Sequence, residues 1–185
     1  MPSALNPSRA ETLLAVLERE GVTHAAGLPD NATAPLIDRL MRHPTIRWVP
    51  VTREGEAFAV AAGLWIGGMS PVVLVQNTGL LESGDSVRGT ILRMAVPLVV
   101  IVSGRGFAKL RASGIDPRAR PFASNALTRP DIDSAALLTE ATLEAWGLPI
   151  VACEGDDVAA AATAAFERVR RGRAPVALLL TAALA

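Results

Sequence analysis

A single cysteine, Cys153, excludes a disulfide framework and any metal site built from several thiolates. Histidine is almost as scarce, and His24 and His43 alone argue against a zinc or di-iron centre. Neither sign of charge prevails. The 18 basic residues balance 18 acidic ones, so no net charge directs the chain to nucleic acid or a membrane surface. Long apolar runs are missing too: Ala95 to Val102 and Val176 to Ala185 reach about half the length that spans a bilayer. The opening stretch Met1 to Pro7 has no basic segment followed by an apolar core, so no signal peptide is expected and the expected location is cytoplasmic.

What remains is a chain of 185 residues, 50% hydrophobic, expected to form one domain over residues 1–185. Apolar runs alternate with helical patterns. Ser8 and Glu11 have capping-box spacing ahead of Leu13, Leu14, Val16 and Leu17, and Gly21 stops that helix. Strands are expected at Val22–Leu28, Ile46–Thr52, Pro71–Gln76, Pro97–Ser103, Pro149–Cys153 and Pro175–Thr181. Helices are expected at Thr33–Met41, Arg53–Ile66, Asp131–Trp146 and Asp156–Arg171, and at Ser83–Met94 after a polar turn. Strands that are apolar throughout and separated by helices imply a doubly wound, mainly parallel six-stranded α/β sheet with helices on both faces.

Ligands of such sheets gather at the carboxyl ends of the strands. Four successive strands deliver polar groups there: Asp30 and Asn31, then Arg53 and Glu54, then Gln76, Asn77 and Thr78, then Arg105. The segment from Arg105 to Pro130 holds six basic residues against Asp116, a local excess that would concentrate an anionic substrate, unless it is a solvated surface loop or a docking surface for another subunit. Other motifs fail. Gly104-Arg105-Gly106 lacks the third glycine of a dinucleotide fingerprint, and neither a phosphate-binding loop nor a nucleophile elbow is present. Cys153 reads as a core filler, His24 as structural, and His43-Pro44 as a helix end.

Glu54 carries the most information. It follows a strand, opens a helix of small residues, and has no evident ion-pair partner. Acids in the first turn also complement the helix dipole, so position alone leaves a plain capping role open. The order of the motifs narrows this. Glu54 followed nine positions later by Gly63 resembles the catalytic glutamate segment of thiamine-diphosphate enzymes, in their pyrimidine-binding (PYR) domain. Gly27-Leu28-Pro29-Asp30, Gln76-Asn77-Thr78-Gly79-Leu80 and Ser103-Gly104-Arg105-Gly106 follow the order of sulfopyruvate and phosphonopyruvate decarboxylases.

The resemblance implies that Glu54 activates the aminopyrimidine of thiamine diphosphate, with Gln76, Asn77, Thr78 and Gly79 beside the cofactor. It implies Asp30 in proton transfer or substrate orientation, and Arg105 and Asn31 on an anionic 2-oxo acid. The diphosphate-binding (PP) domain, with its Mg2+, needs a Gly-Asp-Gly pattern. Neither Gly84-Asp85-Ser86 nor Gly155-Asp156-Asp157 supplies it. That domain is therefore expected on a β subunit, and this chain as the α subunit of a heteromeric decarboxylase. One departure concerns specificity. The family usually continues Gly-Asn-Ser after its Gln-Asn motif, whereas this chain reads Leu81-Glu82-Ser83, and the added carboxylate needs a partner such as Arg88 or Arg105. A carboligase of the same family, a non-catalytic or regulatory subunit of this fold, and an unrelated nucleotide-binding domain stay open as alternatives.

Overall fold

Runs of Val, Ile and Leu bounded by helical segments form, in the computed structural model, a six-stranded sheet in which every pairing is parallel. The structure describes residues 7–123 and 125–184. The strands are β1 (His24–Gly27), β2 (Arg47–Pro50), β3 (Pro71–Gln76), β4 (Val99–Ser103), β5 (Ile150–Cys153) and β6 (Val176–Leu180). The longer helices are α1 (Arg9–Arg19), α2 (Ala34–Leu40), α3 (Glu54–Ile66), α7 (Ser134–Ala145) and α8 (Val158–Gly172). Shorter ones are α4 (Asn77–Glu82), α5 (Gly84–Val87) with a π-helical continuation over Arg88–Leu92, α6 (Phe107–Ala112), and a 3₁₀ turn at Ala126–Thr128.

Both faces of the sheet are covered, and the side-chain alternation of a strand sorts its residues between them. Val73, Val75, Val100 and Val102 pack toward α3, α4 and α7, where Phe58 is fully buried. Val72, Leu74, Val99 and Ile101 pack toward α1, α2 and α8, against Leu13, Leu17, Leu36 and Ala162. Truncating a side chain like Phe58 to Ala would cost about 3–5 kcal/mol. The capping box forms as the sequence predicts: Glu11 accepts from the Ser8 N–H at 2.8 Å, and the Ser8 hydroxyl accepts from the Glu11 N–H at 3.3 Å. Gly21 then takes the left-handed φ of +71° that ends the helix.

The strand order is β2-β1-β3-β4-β6-β5. After β1 the chain steps outward to β2, then crosses back to place β3 on the other side of β1. A topological switch point therefore lies between β1 and β3, where ligands of open α/β sheets bind.

Two expectations are corrected. The polar turn foreseen between Gln76 and Ser83 is helical from Asn77 onward, so β3 runs directly into α4 with Gln76 as N-cap. The basic segment contains α6 and the 3₁₀ turn, and its cations have partners. Arg105 faces Asp133, Arg118 bridges Glu140 and Glu154, Arg120 reaches Glu144, and Arg129 pairs with Asp131. Lys109 and Arg111 donate to the carbonyls of Pro130 and Thr181. The local excess of positive charge disappears because α7 and the end of β5 supply acids through space.

Candidate functional site

At the β1–β3 switch point the chain leaves a cleft of about 260 Å³ lined by Leu28, Pro29, Asp30, Asn31, Glu54 and Gln76. Three strand ends meet there because β1 and β3 approach closely. A Cβ on Gly27 would stand 1.9 Å from the Leu74 carbonyl oxygen, so only glycine allows that contact. Four residues singled out in the sequence, Asp30, Asn31, Glu54 and Gln76, thus share one cleft.

Glu54 is the first residue of α3. The dipole-complementing work at this terminus falls to Glu56, whose carboxylate accepts from the Thr52 N–H and hydroxyl at 2.9 Å each and from the Arg53 N–H at 3.3 Å. Those bonds, the Thr52 backbone donor first, hold the Glu56 carboxyl below the usual range. Glu54 makes no hydrogen bond or ion pair among the described residues, although it is half-buried. Its side chain lies over Gly79 in the first turn of α4. A Cβ at Gly79 would come within 2.2 Å of the Glu54 Cγ, Cδ and Oε1. The glycine is the space into which the glutamate fits.

Asp30 is tied into the fold as well as lining the cleft. Its Oδ1 accepts from the N–H groups of Ala32 and Thr33 at 2.7 and 3.2 Å, and its Oδ2 from the hydroxyls of Thr33 and Ser103 at 2.6 and 3.0 Å. It anchors the β1–α2 turn to the end of β4. Asn31, its neighbour, is exposed. The Gln76 Oε1 accepts from the Thr78 hydroxyl at 2.7 Å, which leaves the amide N–H groups of Gln76 as the free donors.

Two other residues stand apart from the cleft. Asn77 is fully buried, and its side chain is spent on the protein: Nδ2 donates to the Arg105 carbonyl at 3.0 Å and the Thr139 hydroxyl at 3.1 Å, while Oδ1 accepts from the Arg105 N–H at 3.1 Å. It latches α4 to the β4–α6 turn and α7. The Arg105 side chain is 63% exposed, lies 3.7 Å from Asp133, and does not line the cleft. Glu82 does have a partner, but neither of those anticipated. It pairs with Arg53, the residue before Glu54, while Arg88 pairs with Asp85.

Sequence reasoning missed the Arg53–Glu82 pair and the cleft walls Leu28 and Pro29. The capping role of Glu56 was legible in its spacing from Arg53 and Thr52. Burial pushes the Cys153 thiol up, as befits a core residue. Among the described residues no group of three His, Cys, Asp or Glu side chains could hold a metal ion, and no helix is long and apolar enough to cross a membrane.

Similarity to known proteins agrees with this fold. Phosphonopyruvate decarboxylase of Streptomyces viridochromogenes is 41% identical over 97 residues, covering 52% of this chain and 24% of that protein. Sulfopyruvate decarboxylase subunit alpha of Methanothermobacter thermautotrophicus is 33% identical over 97 residues, covering 52% of this chain and 59% of that protein. An alpha-keto-acid decarboxylase of Mycobacterium tuberculosis is 36% identical over 93 residues, covering 50% of this chain and 16% of that protein. The chain thus spans between a sixth and three-fifths of the length of these relatives. Residues 8–137 match the family described as thiamine pyrophosphate enzyme, N-terminal TPP binding domain. A doubly wound parallel sheet, a cleft at its switch point and that match over most of the chain together make this protein a member of the thiamine pyrophosphate enzyme family, through its N-terminal TPP binding domain.

Proposed function

We propose that this chain is the pyrimidine-binding subunit of a thiamine-diphosphate-dependent 2-oxo acid decarboxylase. In this reading Glu54 engages the cofactor's aminopyrimidine, and a diphosphate-binding partner subunit holds the phosphates and Mg2+. The observation that carries the reading is the unpartnered Glu54 carboxylate, set over Gly79 at the switch-point cleft while Glu56 does the capping. A half-buried acid with no partner among the described residues is chemically available to a ligand.

The residues present fit the group. Glu54 holds or moves a proton at a carboxylate oxygen, which is what a basic ring nitrogen requires of it. Gln76 lines the cleft with its oxygen taken by Thr78, so its amide N–H groups are the donors it can offer a ligand. Asn31 and Asp30 line the same cleft and are the residues this reading gives to the substrate. Asp30 acts there by orientation, since its four hydrogen bonds fix its carboxylate. Bound thiamine diphosphate supplies the electron sink that loss of carbon dioxide from a 2-oxo acid requires. Among the described residues the cleft walls include no Lys or Arg, so the proposed substrate is a 2-oxo acid whose further substituent these walls do not specify.

The test is calorimetric titration of thiamine diphosphate with Mg2+ into the chain co-purified with its partner, beside the Glu54→Gln variant. The complex is expected to bind. The variant should fold normally and lose roughly 10²- to 10⁴-fold in turnover. A folded wild-type complex that binds no cofactor sinks the proposal.

A further inference from the structure

The ion pair between Arg53 and Glu82 is exposed on both sides, 71% and 48%, and pairs of that kind add little to stability. Its significance lies in its neighbours. Arg53 is followed in sequence by Glu54 and, two positions further on, by Glu56. A second cavity, of about 400 Å³, borders this corner and is lined by Arg53, Gly55, Glu56, Glu82, Asp85 and two serines. Three acids line it, and each is occupied. Glu56 is taken by Thr52 and the Arg53 N–H, Asp85 by Arg88, and Glu82 by the Arg53 guanidinium. Glu54, one residue away, is the acid left without a partner among the described residues.

Helix α4 meets this corner twice along one face, since positions three apart are neighbours on a helix. Gly79 makes room for Glu54, and Glu82 takes hold of the residue before it. The neighbours that push the Arg53 guanidinium up rank in the same order, with the Glu82 hydrogen bond and charge ahead of Glu56 and Glu54. Were Glu82 neutral, the guanidinium would be a long, free cation adjacent in sequence to Glu54, an acid without a partner among the described residues. An arginine there would bind both carboxylate oxygens in a fork and withdraw them from any ligand.

We propose that Glu82 is a positioning residue: by holding Arg53 at the outer edge of α4, it keeps the Glu54 carboxylate free for the cofactor. The inference rests on the assignment of Glu54 made above and adds a residue that departs from the usual motif of the family. Through Glu82, the Leu81-Glu82 variation serves to restrain a neighbouring cation.

The experiment compares wild type, Glu82→Gln, Arg53→Gln and the double variant, each as the co-purified complex, by thiamine diphosphate titration and 2-oxo acid turnover. Glu82→Gln should weaken cofactor affinity roughly 10- to 100-fold, the worth of one charge-assisted hydrogen bond that must break first. Arg53→Gln should bind like wild type, and the double variant should regain wild-type affinity. A purely structural clamp gives no such rescue, so a double variant as impaired as Glu82→Gln overturns the proposal. A fully active Glu82→Gln overturns it too. If the wild-type complex binds no cofactor, the assignment of Glu54 fails, and a crystal structure of the Glu82→Gln chain still decides this point. A guanidinium on the Glu54 carboxylate supports it, and one elsewhere refutes it.

Discussion

Gly79→Ala separates the geometry of the site from the stability of the fold. The new methyl would lie 2.2 Å from three atoms of Glu54, where ordinary contact begins at 3.4 Å. Glu54 must therefore retreat by about 1.2 Å. Its side chain is flexible and borders an open cleft, so the clash is relieved by rotation and not by moving α3. The helix itself gains, because alanine inside a helix is favoured over glycine by about 0.5–1 kcal/mol. For a chain of this length 1 kcal/mol corresponds to roughly 2–4 °C in Tm. Thermal unfolding followed by circular dichroism should thus move by no more than about 4 °C. Catalysis tolerates far less, since a displacement of about 1 Å can cost on the order of 10²-fold. The kcat/KM of the assembled enzyme should fall by about that factor. An unchanged kcat/KM, with the alanine verified in place, would refute the claim that Gly79 exists to seat Glu54. A collapse of Tm would show that α3 and α4 cannot part locally.

Asn77→Ala should behave in the opposite way. It strips partners from the Arg105 backbone and the Thr139 hydroxyl, and should cost about 1–3 kcal/mol by urea unfolding with cofactor affinity intact. A stable variant that no longer binds cofactor would return Asn77 to the cleft. Glu11 predicts a pH dependence. Its carboxyl is held down to about 2 from an ordinary 4.5, first by the Arg39 hydrogen bond and then by the Ser8 N–H. A depressed folded value contributes stability that is complete above pH 4.5 and is lost as pH falls toward 2. The stability gap between wild type and Glu11→Gln should accordingly narrow across that window, and a constant gap would contradict the assignment.

The parallel sheet was legible because continuous apolar strands make sense only between two helical layers, and Val72 to Val75 and Val99 to Val102 are buried on both faces. The helix beginning at Asn77 was not legible. Asn, Thr and Gly are turn formers, and the local sequence holds no sign that the Asn77 amide would be satisfied by residues 28 and 62 positions away. The basic segment misled for a related reason. A charge count along the chain records Arg118 and Arg120 but not Glu140 and Glu144, which α7 brings beside them. The neighbour of Arg105 was hidden likewise: Arg105 does follow β4, and Asp133 stands 3.7 Å from its side chain.

By itself, then, the sequence determined the alternation of strands and helices, the capping of α1, and the placement of a glutamate at the junction of β2 and α3. Each of these depends on residues within a turn or two of one another, where propensity and periodicity act. Tertiary structure alone decided that β1 lies between β2 and β3, so that Glu54, Asp30 and Gln76 face one cleft. It alone paired Arg53 with Glu82, 29 positions away. Strand order and ion pairing are set by distances through space, and contacts between residues tens of positions apart carry no local signature in the chain.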